Sequence, residues 1–196
     1  MSCLRTVLFP TKTLRISEYS VNIISRPLVG ASTAVLGLAA VFLGIAETAH
    51  QITRTAICER GQAHAPLHQY AVAETEVDLG AARALLAYTG QAVDTFYETY
   101  PGGQCPSSAA LQLITDCQCS KYFITKKAVD IVDRALTLSG GPGYMQTHPL
   151  SRLYRDVRAG PLMQPFSAYT AFEFIGKVAL GVDPSASAEA LAGPSA

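Results

Sequence analysis

Ser139-Gly140-Gly141-Pro142-Gly143-Tyr144-Met145-Gln146-Thr147-His148-Pro149-Leu150, running on as Ser151-Arg152-Leu153-Tyr154-Arg155-Asp156-Val157-Arg158, is the stretch that organises this chain. Three glycines and a proline in four residues cannot continue a helix, so a turn stands here. Upstream, Leu111, Ile114, Tyr122, Thr125, Val129, Val132 and Leu136 recur at three- and four-residue spacing. That is the period of one helix face, and it predicts a long helix starting after Pro106-Ser107 and ending at Gly140-Gly141. Downstream, Pro149 suits the first turn of a new helix, with Thr147 or His148 as its cap.

The same reading extends in both directions. A first helix is predicted from about Ser32 to about Arg60, stopped by Gly61. A second runs from Pro66 to about Tyr97, with Val72, Leu79, Ala82, Leu86, Val93 and Phe96–Tyr97 facing inward. Glu74, Glu76, Asp78, Arg83 and Asp94 are expected to stay wet. Pro101-Gly102-Gly103 breaks the chain before the third helix. Gly160-Pro161 ends the fourth, and a last amphipathic piece, Ser167 to Leu180, is capped by Ser167 and closed by Gly181. Three long helices and a split fourth, joined by short loops, predict an all-α antiparallel four-helix bundle over residues 28–182. Residues 1–27 carry short β-favouring runs, Val21-Asn22-Ile23-Ile24 among them, and read as an extended leader or the remnant of a β-domain. Residues 183–196 are Ala/Ser/Pro-rich and read as a disordered tail.

Composition narrows the function classes. The chain has 196 residues, 49% hydrophobic and 15% charged, with formal net charge +0. That suits one or two packed domains and leaves no electrostatic footprint for nucleic acid. Cys3, Cys58, Cys105, Cys117 and Cys119 form an odd, irregular set, which points to a reducing cytoplasm. No signal peptide is expected at the N-terminus. Residues Pro27 to Ala46 hold no charge and are long enough to cross a bilayer. No basic cluster flanks them, and a polar helix continues beyond, which favours a buried helix over a membrane span.

The Gly140-Gly141-Pro142-Gly143-Tyr144 turn, followed by Pro149 and by Leu153-Tyr154-Arg155-Asp156, resembles the C-terminal helical domain of acyl-CoA dehydrogenases. Leu43-Gly44-Ile45-Ala46 and Glu59-Arg60 are similar to motifs on that domain's first helix, and Pro66 also matches. The Phe and Gly that usually follow the Arg are replaced in Gly61-Gln62-Ala63-His64-Ala65. The resemblance implies the bundle fold and a bound FAD, shared with a partner chain in a homo- or hetero-oligomer of like chains. It further implies that Arg60 reaches the flavin of a neighbouring subunit. Gly140 and Gly141 would abut its adenine-diphosphate end, with Thr137 able to add one hydrogen bond. Residues without Cβ let backbone amides approach phosphate oxygens. On the residues alone, Gly140-Gly141 reads first as a plain helix C-cap, and it is the resemblance that turns the reading toward the cofactor.

Two departures bear on activity. The family's usual catalytic Glu lies eight residues after the Asp of Arg-Asp; eight beyond Asp156 stands Gln164. An amide is no base near neutral pH, and losing a general base costs about 10²–10⁴ in rate. Relatives that carry the Glu on the first helix place it near Ala34, and no carboxylate occurs from Pro27 to Ala46. Gly160-Pro161-Leu162-Met163-Gln164-Pro165 instead looks like the divergent branch of the superfamily, which includes flavin-dependent monooxygenases and subunits that complete an active partner. The family's other two domains would need roughly two hundred more residues. No catalytic residue is therefore assigned, and the expected role is FAD binding and oligomerisation within an acyl-CoA dehydrogenase-like oxidoreductase. No metal site is assigned either. His64 and His68 straddle a helix start at Pro66, and Cys117-x-Cys119 sends its thiols to different helix faces.

Overall fold

The computed structural model describes residues 21–101, 104–163 and 167–184. Its elements are α1 (Val21–Glu59), α2 (Pro66–Thr99), α3 (Ser107–Ser139), the single turn α4 (Gly141–Tyr144), α5 (Pro149–Val157), a 3₁₀ turn (Gly160–Leu162) and α6 (Ala168–Leu180). Among the described residues there is no strand. The expected bundle is present.

One boundary is corrected. Val21-Asn22-Ile23-Ile24 belongs to α1, which begins eleven residues before the expected start at Ser32. Short β-branched runs carry little intrinsic preference, and helical continuity with Ala31 onward overrides it. Residues 1–20 and 185–196, the bulk of the expected leader and tail, lie outside the described residues.

Cross-helix contacts fix the directions. Thr33 meets Tyr97 at 3.5 Å, Glu47 meets Arg83 at 2.7 Å and His50 meets Glu76 at 3.0 Å, so α2 runs antiparallel to α1. Thr89 meets Ser120 at 2.5 Å and Arg134 meets Thr75 at 2.8 Å, so α3 turns back against α2. Hence α1 and α3 run parallel, and Gln118 reaches Ser32 near their starts. Leu150, Leu153 and Val157 of α5 pack into the main core with Ile124, Val129 and Val132 of α3. Phe174 of α6 joins Leu111, Ile114 and Cys117 nearer the start of α3. Together α5 and α6 form the fourth position of the bundle, split as the sequence indicates.

The caps follow their residue types. His148 Nδ1 accepts from the Leu150 amide at 3.2 Å, and Ser167 Oγ accepts from the Thr170 amide at 3.4 Å. Gly61 (φ +67°) and Gly181 (φ +73°) each end a helix in the left-handed conformation. In both, the amide after the glycine returns to the helix: Gln62 to Ile57 and Val182 to Lys177. These are Schellman closures, which satisfy orphan carbonyls.

The apolar stretch of α1 is long and apolar enough to cross a membrane by length and composition. In the bundle it is the helix that touches α2, α3 and α5, and its Val35, Ala39, Phe42, Leu43, Ala46 and Ala49 are buried.

A second correction concerns charge. Asp78, expected in water, is only 8% exposed. It lies between Lys127 (2.9 Å) and Arg134 (3.3 Å) of α3. Arg134 also donates to Thr75 and pairs with Glu74 at 2.9 Å. The charge is tolerated inside because two cations from the facing helix are brought to it.

Candidate functional site

Parallel α1 and α3 end at the same end of the bundle, and this is what gathers the candidate cofactor residues. Arg60 is the last residue of α1's closing turn. Its amide still donates to Ala56, and Gly61 reverses the chain directly after it. The side chain is exposed. Thr137, Gly140 and Gly141 stand at the end of α3, all three exposed. The Thr137 carbonyl accepts the Gly140 amide at 3.2 Å, which closes the helix.

The three glycines of the turn have different reasons. Gly140 adopts φ +65°, ψ −155°, a region essentially restricted to glycine. Gly143 is held by crowding, since a Cβ there would stand 2.7 Å from the Ser139 Cβ. Gly141 has an ordinary φ, and a Cβ there would meet nothing within 4 Å beyond its chain neighbours. The left-handed position is thus Gly140, while Gly141 is the helical residue directly before Pro142, where a side chain is disfavoured. Both are exposed, and their uncrowded backbone, at the same end of the bundle as Arg60, fits the approach of an anionic group.

Gln164 lies outside the described residues, but the segment leading to it is described. Gly160 packs so closely that a Cβ would sit 3.1 Å from both Phe42 and Thr125. Three residues on, the Met163 carbonyl accepts from the buried Lys121 ammonium. Burial pulls the Lys121 pKa below the ordinary lysine value. The segment before position 164 is therefore pinned to α3 at two points. Sequence reasoning did not single out Lys121; its position one turn before Thr125 on the inward face of α3 was the available signal.

Also unanticipated is a polar cleft of about 450 Å³ between α1 and α2. His50 Nε2 and Arg54 both contact Glu76 Oε1, at 3.0 and 3.3 Å, and Arg83 pairs with Glu47. The hydrogen bond from His50 is the main cause holding the Glu76 carboxyl below its usual pKa. Glu47, His50 and Arg54 share one face of α1, and Glu76 and Arg83 share one face of α2, so helical spacing carried the hint. These charges are mutually paired. Burial, with Asp116 nearby, pushes the Cys117 thiol up to about 12, and burial raises Cys119 as well, which makes these two poor nucleophiles. His64 is exposed and His68 half-buried.

A family model described as acyl-CoA dehydrogenase, C-terminal domain, matches residues 36–166. The chain belongs to the acyl-CoA dehydrogenase family. It is 34% identical over 154 residues to amino sugar nitrososynthase DnmZ of Streptomyces peucetius, covering 79% of this chain and 37% of that protein. The solved nitrososynthase from Micromonospora carbonacea var. africana superposes with a TM-score of 0.72 at 31% identity, covering 79% of this chain and 41% of that one. KijD3, solved with FMN and dTDP-3-amino-2,3,6-trideoxy-4-keto-3-methyl-D-glucose, also gives 0.72, at 29% identity over 80% of this chain and 38% of its own. This chain spans about two-fifths of the length of these relatives.

Proposed function

We propose that this chain supplies the C-terminal bundle of a flavin-dependent oxidoreductase of the nitrososynthase-like branch, forming one wall of a flavin site and part of an oligomer with chains carrying the remaining domains. The observation that carries the reading is that parallel α1 and α3 finish at the same end of the bundle, so that Arg60 and the exposed Gly140–Gly141 turn stand at one end. A bound flavin would supply the redox chemistry. This chain's own residues would bind and orient it: Arg60 as a cation toward a phosphate, the Gly140–Gly141 backbone as an uncrowded approach, Thr137 as a hydroxyl donor. FAD is the proposed form, because a cation and an exposed, uncrowded turn backbone suit a diphosphate; the relative KijD3 was solved with FMN. The nitrososynthase relatives support the branch, as does Gln164 where a dehydrogenase carries its base. The free cysteines among the described residues suit a reducing cytoplasm. The packing of α1 into the core favours a bundle helix over a membrane anchor.

The chain is to be purified with a protein carrying the family's other domains, and the flavin absorbance read. A visible flavin band that follows the complex supports the reading; a complex with no flavin sinks it. In that complex Arg60→Ala should weaken flavin binding by about 1–3 kcal/mol, the scale of a charge-assisted hydrogen bond. Retention unchanged by Arg60→Ala would remove that residue from the site.

A further expectation concerns acyl-CoA. The chain alone should not reduce an electron acceptor with any acyl-CoA, because position 164 is an amide and residues 27–46 hold no carboxylate. Gln164→Glu should not restore turnover to it, because the chain spans only about two-fifths of its relatives' length and a lone carboxylate supplies neither flavin nor bound substrate. Steady acceptor reduction by either protein would overturn this.

A further inference from the structure

Beyond α5 the chain leaves the bundle through an exposed turn that is tied to a buried cation. Gly160–Leu162 is closed by the Leu162 amide on the Ala159 carbonyl (3.0 Å) and the Met163 amide on the Gly160 carbonyl (3.3 Å). The turn's first residue is wedged between α1 and α3, where Phe42 and Thr125 leave no room for a Cβ. Its later side chains stand in the open, with Leu162 75% and Met163 37% exposed. Met163 leaves the turn extended, at φ −68° and ψ 137°. Its carbonyl accepts from the ammonium of Lys121, a residue only 4% exposed.

Stability gives no reason for a cation at 121. The position lies one turn from Cys117 and one from Thr125, both buried, so an apolar side chain there would extend the core. An ammonium taken out of water instead costs free energy, which is why burial draws its pKa below the ordinary lysine value. What the ammonium supplies is a charge-assisted bond to a backbone carbonyl just past the turn. That carbonyl belongs to the planar peptide unit joining 163 to 164, so holding its oxygen sets the direction in which the chain enters position 164.

We propose that Lys121 is a positioning residue: it holds the Met163 carbonyl so that the 162–163 stretch and the step into position 164 keep one conformation. Its use in the reaction rests on the flavin reading above, because 164 is where dehydrogenases of this family carry their base. Lys121 stands about 27 Å along α3 from Ser139, so its role is separable from cofactor retention by Arg60 and the glycine turn.

The experiment reads amide hydrogen exchange by NMR on the full chain, beside urea unfolding, for wild type, Lys121→Met and Lys121→Gln. Methionine keeps the length without a donor, and glutamine keeps a neutral donor. In Lys121→Met the Leu162 and Met163 amides should exchange at least about tenfold faster, the equivalent of one charge-assisted hydrogen bond. The Val129 and Val132 amides of α3 should exchange as in wild type, with the urea midpoint unchanged or higher, since a buried charge has been replaced by an apolar group. Lys121→Gln should fall between, and it carries the test by the same two readings if Lys121→Met does not fold. A residue that merely braces the core would give a lower midpoint and faster exchange in α3 and the turn alike. That result, or unchanged exchange at 162 and 163, overturns the proposal. In a complex with a protein carrying the family's other domains and FAD, Lys121→Met should keep the wild-type flavin-to-protein ratio. It should change the visible circular dichroism of the bound flavin, which reports the groups around the ring. An unchanged band would overturn the use in the reaction. A wild-type complex without flavin would strike the reading above, while the anchor stands or falls on the exchange.

Discussion

Asp78→Ala should destabilise the bundle by about 2–3 kcal/mol, read as a lowered urea midpoint at unchanged slope. The carboxylate is the shared partner of Lys127 and Arg134, and removing it leaves two cations at a mostly dry α2–α3 contact. Breaking a fully buried pair costs about 3–5 kcal/mol. The figure is smaller here because Lys127 is one-third exposed and Arg134 keeps Glu74 and Thr75. Asp78→Asn should cost less than Asp78→Ala, because the amide oxygen can still accept one of the two bonds. Glu74→Ala is the control: its side chain is 59% exposed, and an exposed pair is worth about 0–1 kcal/mol. If Glu74→Ala and Asp78→Ala cost the same, Asp78 is an ordinary surface carboxylate and the clamp between α2 and α3 is misread.

That aspartate also marks the limit of what one-dimensional periodicity can say. The inward face of α3 was legible because its residues repeat at helical spacing over about seven turns, and Leu111, Ile114, Thr125, Val129 and Val132 are all buried. The helix ends were legible because their chemistry is local: Gly61, His148, Ser167 and Gly181 each act on neighbours within a few residues. Asp78 was not, because its burial depends on Lys127 and Arg134, which lie 49 and 56 residues away. A charged residue on a helix reads as wet until its partner's position is known. The same holds for Lys121, whose acceptor is a backbone carbonyl 42 residues on. Val21–Ile24 failed for the opposite reason: a weak local preference was read as structure, where continuity with a long helix decides.

The candidate site was legible in kind but not in detail. Matching residues to a family pattern selected Arg60, Thr137, Gly140 and Gly141, and the parallel course of α1 and α3 brings them to one end of the bundle. The pattern could not say which glycine serves the turn and which is left over. Only the backbone angles and the empty space around each Cβ separate those roles.

Gly140→Val and Gly141→Val should therefore fail in different ways. Gly140 sits at φ +65°, ψ −155°, where a branched side chain is strained by about 1–3 kcal/mol. Gly140→Val should lower the thermal midpoint of the chain by itself, with or without flavin. At Gly141 a Cβ meets nothing within 4 Å beyond its chain neighbours and the backbone is not left-handed, so Gly141→Val should cost less stability than Gly140→Val, its strain confined to the step into Pro142. In the reconstituted complex it should nevertheless reduce flavin retention by at least about tenfold, the equivalent of one charge-assisted hydrogen bond, because the isopropyl group covers the backbone the phosphates would approach. The measurement pairs a melting curve of each variant with the flavin-to-protein absorbance ratio of its complex. Stability lost at 140 with flavin lost at 141 identifies a turn that both caps a helix and receives a cofactor. Full flavin occupancy in Gly141→Val would leave Gly140 as a helix cap, Gly141 as an incidental neighbour, and the cofactor assignment at this end of the bundle without support.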